Sequence, residues 1–169
     1  MIVNFNKKLF NKKYIALIEK AYEVTLKLTK VPCKDLEINV SFVSKSEIKK
    51  LNNDFRKKDS VTDVLSFPNL LKCGEENMHL IADKLTKKNF PMEINPENNC
   101  IFLGDICICK SKVRAQAKDF GNLIEREMVY MAVHGLLHLL GYDHLIDEDK
   151  KVMREMEEKI MKKINLERN

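Results

Sequence analysis

The sequence predicts an α+β fold: one domain over residues 1–169 in which a small mixed β-sheet packs with about five helices. Three observations lead there. Short strand-like runs alternate with longer stretches in helical period. One run, IFLGDICIC at 101–109, is apolar almost throughout, as a central strand covered on both faces would be. No internal repeat or linker divides the 169 residues, a length that fits one domain with a real hydrophobic core.

Residues 2–5, IVNF, read as a short first strand. A helix is predicted over 12–29, with Ile15, Ile18, Tyr22 and Leu26 on one stripe and Leu17, Ala21, Val24 and Leu28 beside it. LEINVSFV at 36–43 alternates strictly and reads as a half-buried strand at an edge. Ser44-Lys45-Ser46-Glu47 is a capping box that opens a short helix ending near Phe55. The segment from Arg56 becomes strand-like in its second half and stops at Pro68. Residues 69–99 show no clear period beyond a possible helical turn at MHLIADKL, which marks a long loop or insertion. After the central strand, a helix over 110–119 breaks near Gly121. Asn122, with Glu125 three residues on, can cap a helix that runs to about Leu140 and is apolar on nearly every side from Met128. A last amphipathic helix covers about 147–165, with Val152, Met156, Ile160 and Ile164 in line.

A charged fraction of 33% and a hydrophobic fraction of 44% describe a soluble globular mixture. The formal charge of +5 permits a polyanionic partner without requiring one. The five cysteines, Cys33, Cys73, Cys100, Cys107 and Cys109, are odd in number and form no CxxC pair. They read as reduced thiols in a cytoplasmic protein, not as a disulfide framework. MIVNFNKKLF lacks the apolar core of a signal peptide, and no stretch approaches the roughly 20 apolar residues that span a bilayer, so no membrane partner is expected.

The chemistry concentrates in HGLLHLLGYDH, residues 134–144, which holds three of the chain's four histidines. On a helix His134 and His138 stack on one face and can reach one ion. Gly141 suits the left-handed residue that ends a helix and turns the chain back. His144 lies three residues beyond, where it can close the site. Burying three imidazoles on so apolar a helix without a partner is costly, which favours a metal over three core histidines. Three neutral imidazoles leave one coordination position open, the mark of a catalytic zinc site. Nickel, copper or iron would also fit.

The spacing H-x-x-x-H-x-x-G-x-x-H is similar to that of the metzincin proteases, but where those place the glutamate general base this chain has Gly135. With Tyr142 and Asp143, the string resembles the YbeY family of bacterial endoribonucleases and ribosomal RNA maturation factors. That family has an arginine-led segment ending in PTDVLSFP, matched here by Arg56 and then Asp59-Ser60-Val61-Thr62-Asp63-Val64-Leu65-Ser66-Phe67-Pro68. Its LGDI strand is matched by Leu103-Gly104-Asp105-Ile106. Val61 replaces the usual proline, and the stretch between Pro68 and Leu103 is longer than usual.

The resemblance implies a zincin-like histidine helix and one Zn²⁺, or another transition metal such as Ni²⁺, on His134, His138 and His144. It implies a metal-dependent endoribonuclease specific for single-stranded RNA. Such an enzyme acts in ribosomal RNA maturation, including small-subunit 3′-end processing, and in ribosome quality control, with the ribosome or its proteins as partners. Arg56 is the candidate catalytic residue, because a guanidinium grips phosphate bidentately and can stabilise charge developing at phosphorus. Asp143 can orient a histidine or merely cap a turn. Asp105 interrupts an apolar strand and fits either a partner contact or a bulge beside Gly104. The nucleophile is left open between the 2′-OH of the RNA and water. Two other classes compete: a zincin-like metallopeptidase, which Gly135 weakens, and a non-catalytic ribosome assembly factor with a structural metal. Lys57, Lys58, Lys110 and Lys112 favour RNA over a peptide.

Overall fold

In the computed structural model, which describes residues 1–6, 12–70 and 81–167, four strands form one mixed sheet. They are β1 (Ile2–Phe5), β2 (Leu36–Val43), β3 (Val64–Pro68) and β4 (Ile101–Cys109), in the spatial order β1-β2-β4-β3. The first three neighbours run parallel, and β3 closes the far edge antiparallel to β4. Five helices accompany them: α1 (Lys12–Leu28), α2 (Lys45–Arg56), α3 (Lys110–Asp119), α4 (Ile124–Leu139) and α5 (Asp147–Lys163). None is long and apolar enough to cross a membrane.

The alternation of β2 therefore does not mark an edge. Leu36, Ile38, Val40 and Phe42 enter the main core, while Glu37 and Asn39 face a part of the sheet that carries polar partners. Glu37 accepts hydrogen bonds from Asn4 and Asn95, each at 2.7 Å. The sheet's second face is thus polar near the start of β4 and apolar only near its end. There α2 packs, with Ile48 on Leu65 and Cys109 in a small separate cluster. The Ser44–Glu47 capping box opens α2 as expected. Among the described residues, Cys33, Cys100, Cys107 and Cys109 are free thiols.

The main core lies on the other face, where α4 packs against β3 and β4 and is flanked by α1, α3 and α5. Nearly every residue from Met128 to Leu140 is buried or half-buried, which explains its apolar surround. Asn122 does not cap this helix: the capping position is Leu123, and the Asn122 amide donates to Glu127 Oε1 at 2.9 Å. On α5 the buried stripe is also rotated from the expected one. Val152 is half exposed, and Met153, Glu157, Ile160 and Met161 face inward. Within the 69–99 segment, residues 71–80 lie outside the described residues, as does the start of MHLIADKL. The described remainder includes a 3-10 turn at Ala82–Lys84, with Ala82 and Leu85 buried in the main core, and an antiparallel bridge between Ile94 and Ile101.

Candidate metal centre

The end of α4 builds the site. Gly141 adopts φ +89°, and two reversed hydrogen bonds close the helix: Gly141 N–H to the His138 carbonyl at 3.1 Å and Tyr142 N–H to the Leu137 carbonyl at 3.0 Å. This pair is a Schellman turn, and glycine removes its steric cost. The turn brings the Tyr142 carbonyl back over the last helical turn, where it meets His138 Nδ1 at 2.9 Å. A carbonyl only accepts, so Nδ1 of His138 carries its proton. One turn earlier, His134 Nδ1 lies 2.7 Å from Glu157 Oε1 on α5, and the other Glu157 oxygen accepts from the Tyr130 hydroxyl at 2.6 Å. A carboxylate that accepts on both oxygens fixes the proton of His134 on Nδ1 as well.

Both rings then offer bare Nε2 lone pairs, and these stand 3.1 Å apart. Two lone pairs so close repel unless a cation lies between them. His138 itself is a poor cation at neutral pH, because burial, helped by the neighbouring His134 and His144, pushes its pKa down to about 4. A metal is a better fit. With zinc–nitrogen bonds of about 2.0–2.1 Å, tetrahedral ligand atoms stand about 3.4 Å apart. His144 completes the group. Its ring lies 5.5 Å from that of His134 and 4.9 Å from that of His138, centroid to centroid. One ligand atom from each of the three residues lies within 4.8 Å of the others. The donor set is able to hold a metal ion.

The family model for Endoribonuclease YbeY matches residues 1–165. The chain belongs to the YbeY family. Similar curated members include the Endoribonuclease YbeY of Caldanaerobacter subterraneus subsp. tengcongensis, 41% identical over 153 residues that cover 90% of this chain and 89% of the relative. Another is that of Clostridium botulinum strain 657, 40% identical over 163 residues, with 96% of this chain and 95% of the relative covered. Among solved structures, the solution structure of TM1509 from Thermotoga maritima matches with a TM-score of 0.60 at 29% identity, covering 96% of this chain and 89% of that one.

The other residues singled out by this YbeY-like sequence come from the end of α2, the turn after it, β4 and the segment after α4. Arg56 is the last residue of α2, exposed, with no hydrogen bond or ion pair among the described residues. The turn after it is anchored at Asp63. One Asp63 oxygen accepts from Gln116 of α3 at 2.8 Å, and the other from the Val64 N–H and the Thr62 hydroxyl. Burial pushes the Asp63 carboxyl up, but these donors, with Asp63's own backbone N–H, outweigh it and hold the group below the usual carboxylate range. Asp143 accepts from the His144 N–H at 2.7 Å, the turn-capping geometry, and makes no hydrogen bond to a histidine ring.

Asp105 accepts from Asn39 at 2.9 Å. It follows a bulge, since Leu103 and Gly104 stand where β2 has only Ile38. Gly104 sits there at φ +136°, and a Cβ would come within 2.2 Å of the Phe67 carbonyl oxygen. Strand alternation puts Asp105 on the α2 face, opposite Ile106 and the histidine helix. Gly135 lies against Ile106: a Cβ there would meet two Ile106 carbons at 2.8 Å. A side chain at position 135 would point into the sheet.

Glu157 is the residue that sequence reasoning missed. The signal was present, since it stands four residues after Met153 and three before Ile160, on the apolar stripe of α5. A carboxylate on a buried stripe needs a partner, and the nearest groups without an evident one were the histidines.

Proposed function

We propose that this chain is a metal-dependent endoribonuclease that cuts single-stranded RNA in ribosomal RNA maturation and ribosome quality control. Small-subunit 3′-end processing in the cytoplasm, with ribosomal partners, is the setting its family suggests. One zinc ion on His134, His138 and His144 is the cofactor in this reading, with nickel the alternative. The observation that carries it is the pair of Nε2 lone pairs at 3.1 Å, both tautomers being fixed from outside the pair. The names of its endoribonuclease relatives supply the substrate class.

A cation held there supplies Lewis acidity toward a phosphoryl oxygen. The remaining roles fall to side chains. Glu157 and the Tyr142 carbonyl hold the two imidazoles in the ligating tautomer and orientation. Arg56 pairs with no acid among the described residues, so its planar fork is available to a phosphate and to charge developing at phosphorus. Gly135 supports a nuclease over a peptidase, because no general base can be seated there without displacing Ile106.

The test combines metal analysis with cleavage of a single-stranded ribosomal RNA fragment, with and without a chelator. Purified protein is expected to carry about one transition metal per chain and to cut the RNA only when loaded. The His138→Ala variant is expected to lose both metal and cleavage. Full occupancy in that variant, or chelator-sensitive proteolysis in place of RNA cleavage, would overturn the reading.

A further inference from the structure

Beside the histidines, between α4 and the first half of α5, lies a cavity of about 240 Å³. Tyr130, His134 and His144 line it together with Lys150, Met153, Arg154 and Glu157 of α5. A water molecule takes about 30 Å³, so this volume admits a phosphate group with part of its hydration. Lys150 and Arg154 are four residues apart on α5 and so share a face. Both are exposed, and neither forms an ion pair among the described residues. Like charges at this spacing destabilise a helix, whereas opposite charges there support it. The acids nearby do not relieve the pair. Both oxygens of Glu157 are taken up by His134 and Tyr130. Asp147, Glu148 and Asp149 occupy the first turn of α5, where they suit the helix N-terminus, and do not line the cavity. Two unpaired cations and two imidazoles lining one cavity, whose single carboxylate is already engaged on both oxygens, form a place for an anion.

We propose that Lys150 and Arg154 bind a backbone phosphate of the RNA next to the one at the histidine centre. This inference rests on the endoribonuclease reading and adds a phosphate subsite to that site. The two are positioning residues: they grip a phosphate that does not react. Such a contact is made equally in ground and transition state, so its loss appears in KM with kcat unchanged.

The test measures binding of a single-stranded RNA oligonucleotide to metal-loaded wild type, Lys150→Ala/Arg154→Ala and Lys151→Ala as a function of salt. Lys151 also lies on α5 but does not line the cavity, so its variant controls for the general loss of positive charge. Each phosphate contact on a single strand contributes about 0.7 to the slope of log affinity against log salt, so the double variant, which loses one phosphate contact, is expected to lose about 0.7. If the two proteins bind alike at about 1 M salt, that difference is about 5-fold in affinity at about 0.1 M. Metal content and melting temperature are expected to stay at the wild-type values, and single-turnover cleavage at saturating enzyme to be unchanged. An unaltered slope in the double variant, with wild type still cutting the RNA, overturns the subsite and leaves the nuclease reading intact. A loss equal to that in Lys151→Ala overturns it as well. If loaded wild type neither binds nor cuts the RNA, the nuclease reading itself fails and the subsite with it.

Discussion

Glu157 is the point at which the structure commits itself most. Its side chain is 5% exposed, and its two oxygens receive His134 Nδ1 at 2.7 Å and the Tyr130 hydroxyl at 2.6 Å. Two substitutions separate charge from hydrogen bonding. In Glu157→Gln the amide oxygen can still accept from His134, and the amide N–H can donate to the Tyr130 oxygen, which accepts as readily as it donates. The tautomer of His134 survives, but the negative charge beside the imidazole does not. Loss of such a supporting partner typically costs about 10- to 100-fold in metal affinity, or about 1.4–2.7 kcal/mol. In Glu157→Leu both partners are left without an acceptor. His134 is then free to take the other tautomer, which puts its proton on the ligating nitrogen. Affinity is expected to fall to the far end of that range or beyond. The apo protein bears a further cost of about 1–3 kcal/mol for each buried group left unpaired, partly offset by the apolar burial of leucine. Competitive titration against a metal chelator gives the affinities, and melting curves with and without metal separate the two costs. Wild-type affinity in Glu157→Leu would refute the claim that α5 holds the metal ligand in place.

That residue also shows what the sequence could and could not disclose. The histidine triad was legible because its chemistry is local: a helix row, a glycine turn and a third histidine all lie within eleven residues. The turn could even be anticipated from Gly141, and the Schellman bonds are what that glycine permits. The support for His134 comes from 23 residues downstream, on a helix whose inward face was set by one rotation about its axis. Reading the stripe through Val152 and Met156, in place of Met153 and Glu157, moved the carboxylate to the solvent side. The placement of β2 failed for a related reason. Strict alternation reports one polar face, and an interior strand shows the same pattern where its second face carries Asn4, Asn95 and Asp105 in place of a helix. Neighbour order in a sheet is set by crossovers, which leave no mark in a strand's own residues. β4 was legible as central because both of its faces are largely covered, one by the main core and the other, toward its end, by α2.

Arg56→Ala is expected to leave metal content and melting temperature nearly unchanged and to lower single-turnover cleavage by about 10²-fold or more, with Arg56→Lys restoring only part. A loss confined to KM would make Arg56 a uniform RNA contact, and a loss in melting temperature a structural one. Asp63 has a folded-state pKa held below its unfolded value, so it contributes stability that is present above the unfolded pKa and lost as pH falls through the folded one. In acid melts below about pH 4, Asp63→Asn is therefore expected to lose stability less steeply than wild type, from a neutral-pH value lower by about 1.5 kcal/mol; parallel curves would contradict this. The last expectation concerns Gly135. In Gly135→Ala the new methyl group meets Ile106 at 2.8 Å, and overpacking of this kind costs about 1–3 kcal/mol, against about 1 kcal/mol gained because alanine favours helix over glycine. The net change should run from neutral to about 2 kcal/mol destabilising. Gly135→Glu restores the metzincin sequence string but must lodge a carboxylate against the isoleucine at the sheet, with no partner there to receive its charge. It is expected to unfold well below the wild-type melting temperature and to gain no proteolysis. A Gly135→Glu protein that melts with wild type and hydrolyses casein in a chelator-sensitive way would show that position 135 faces the metal and not Ile106.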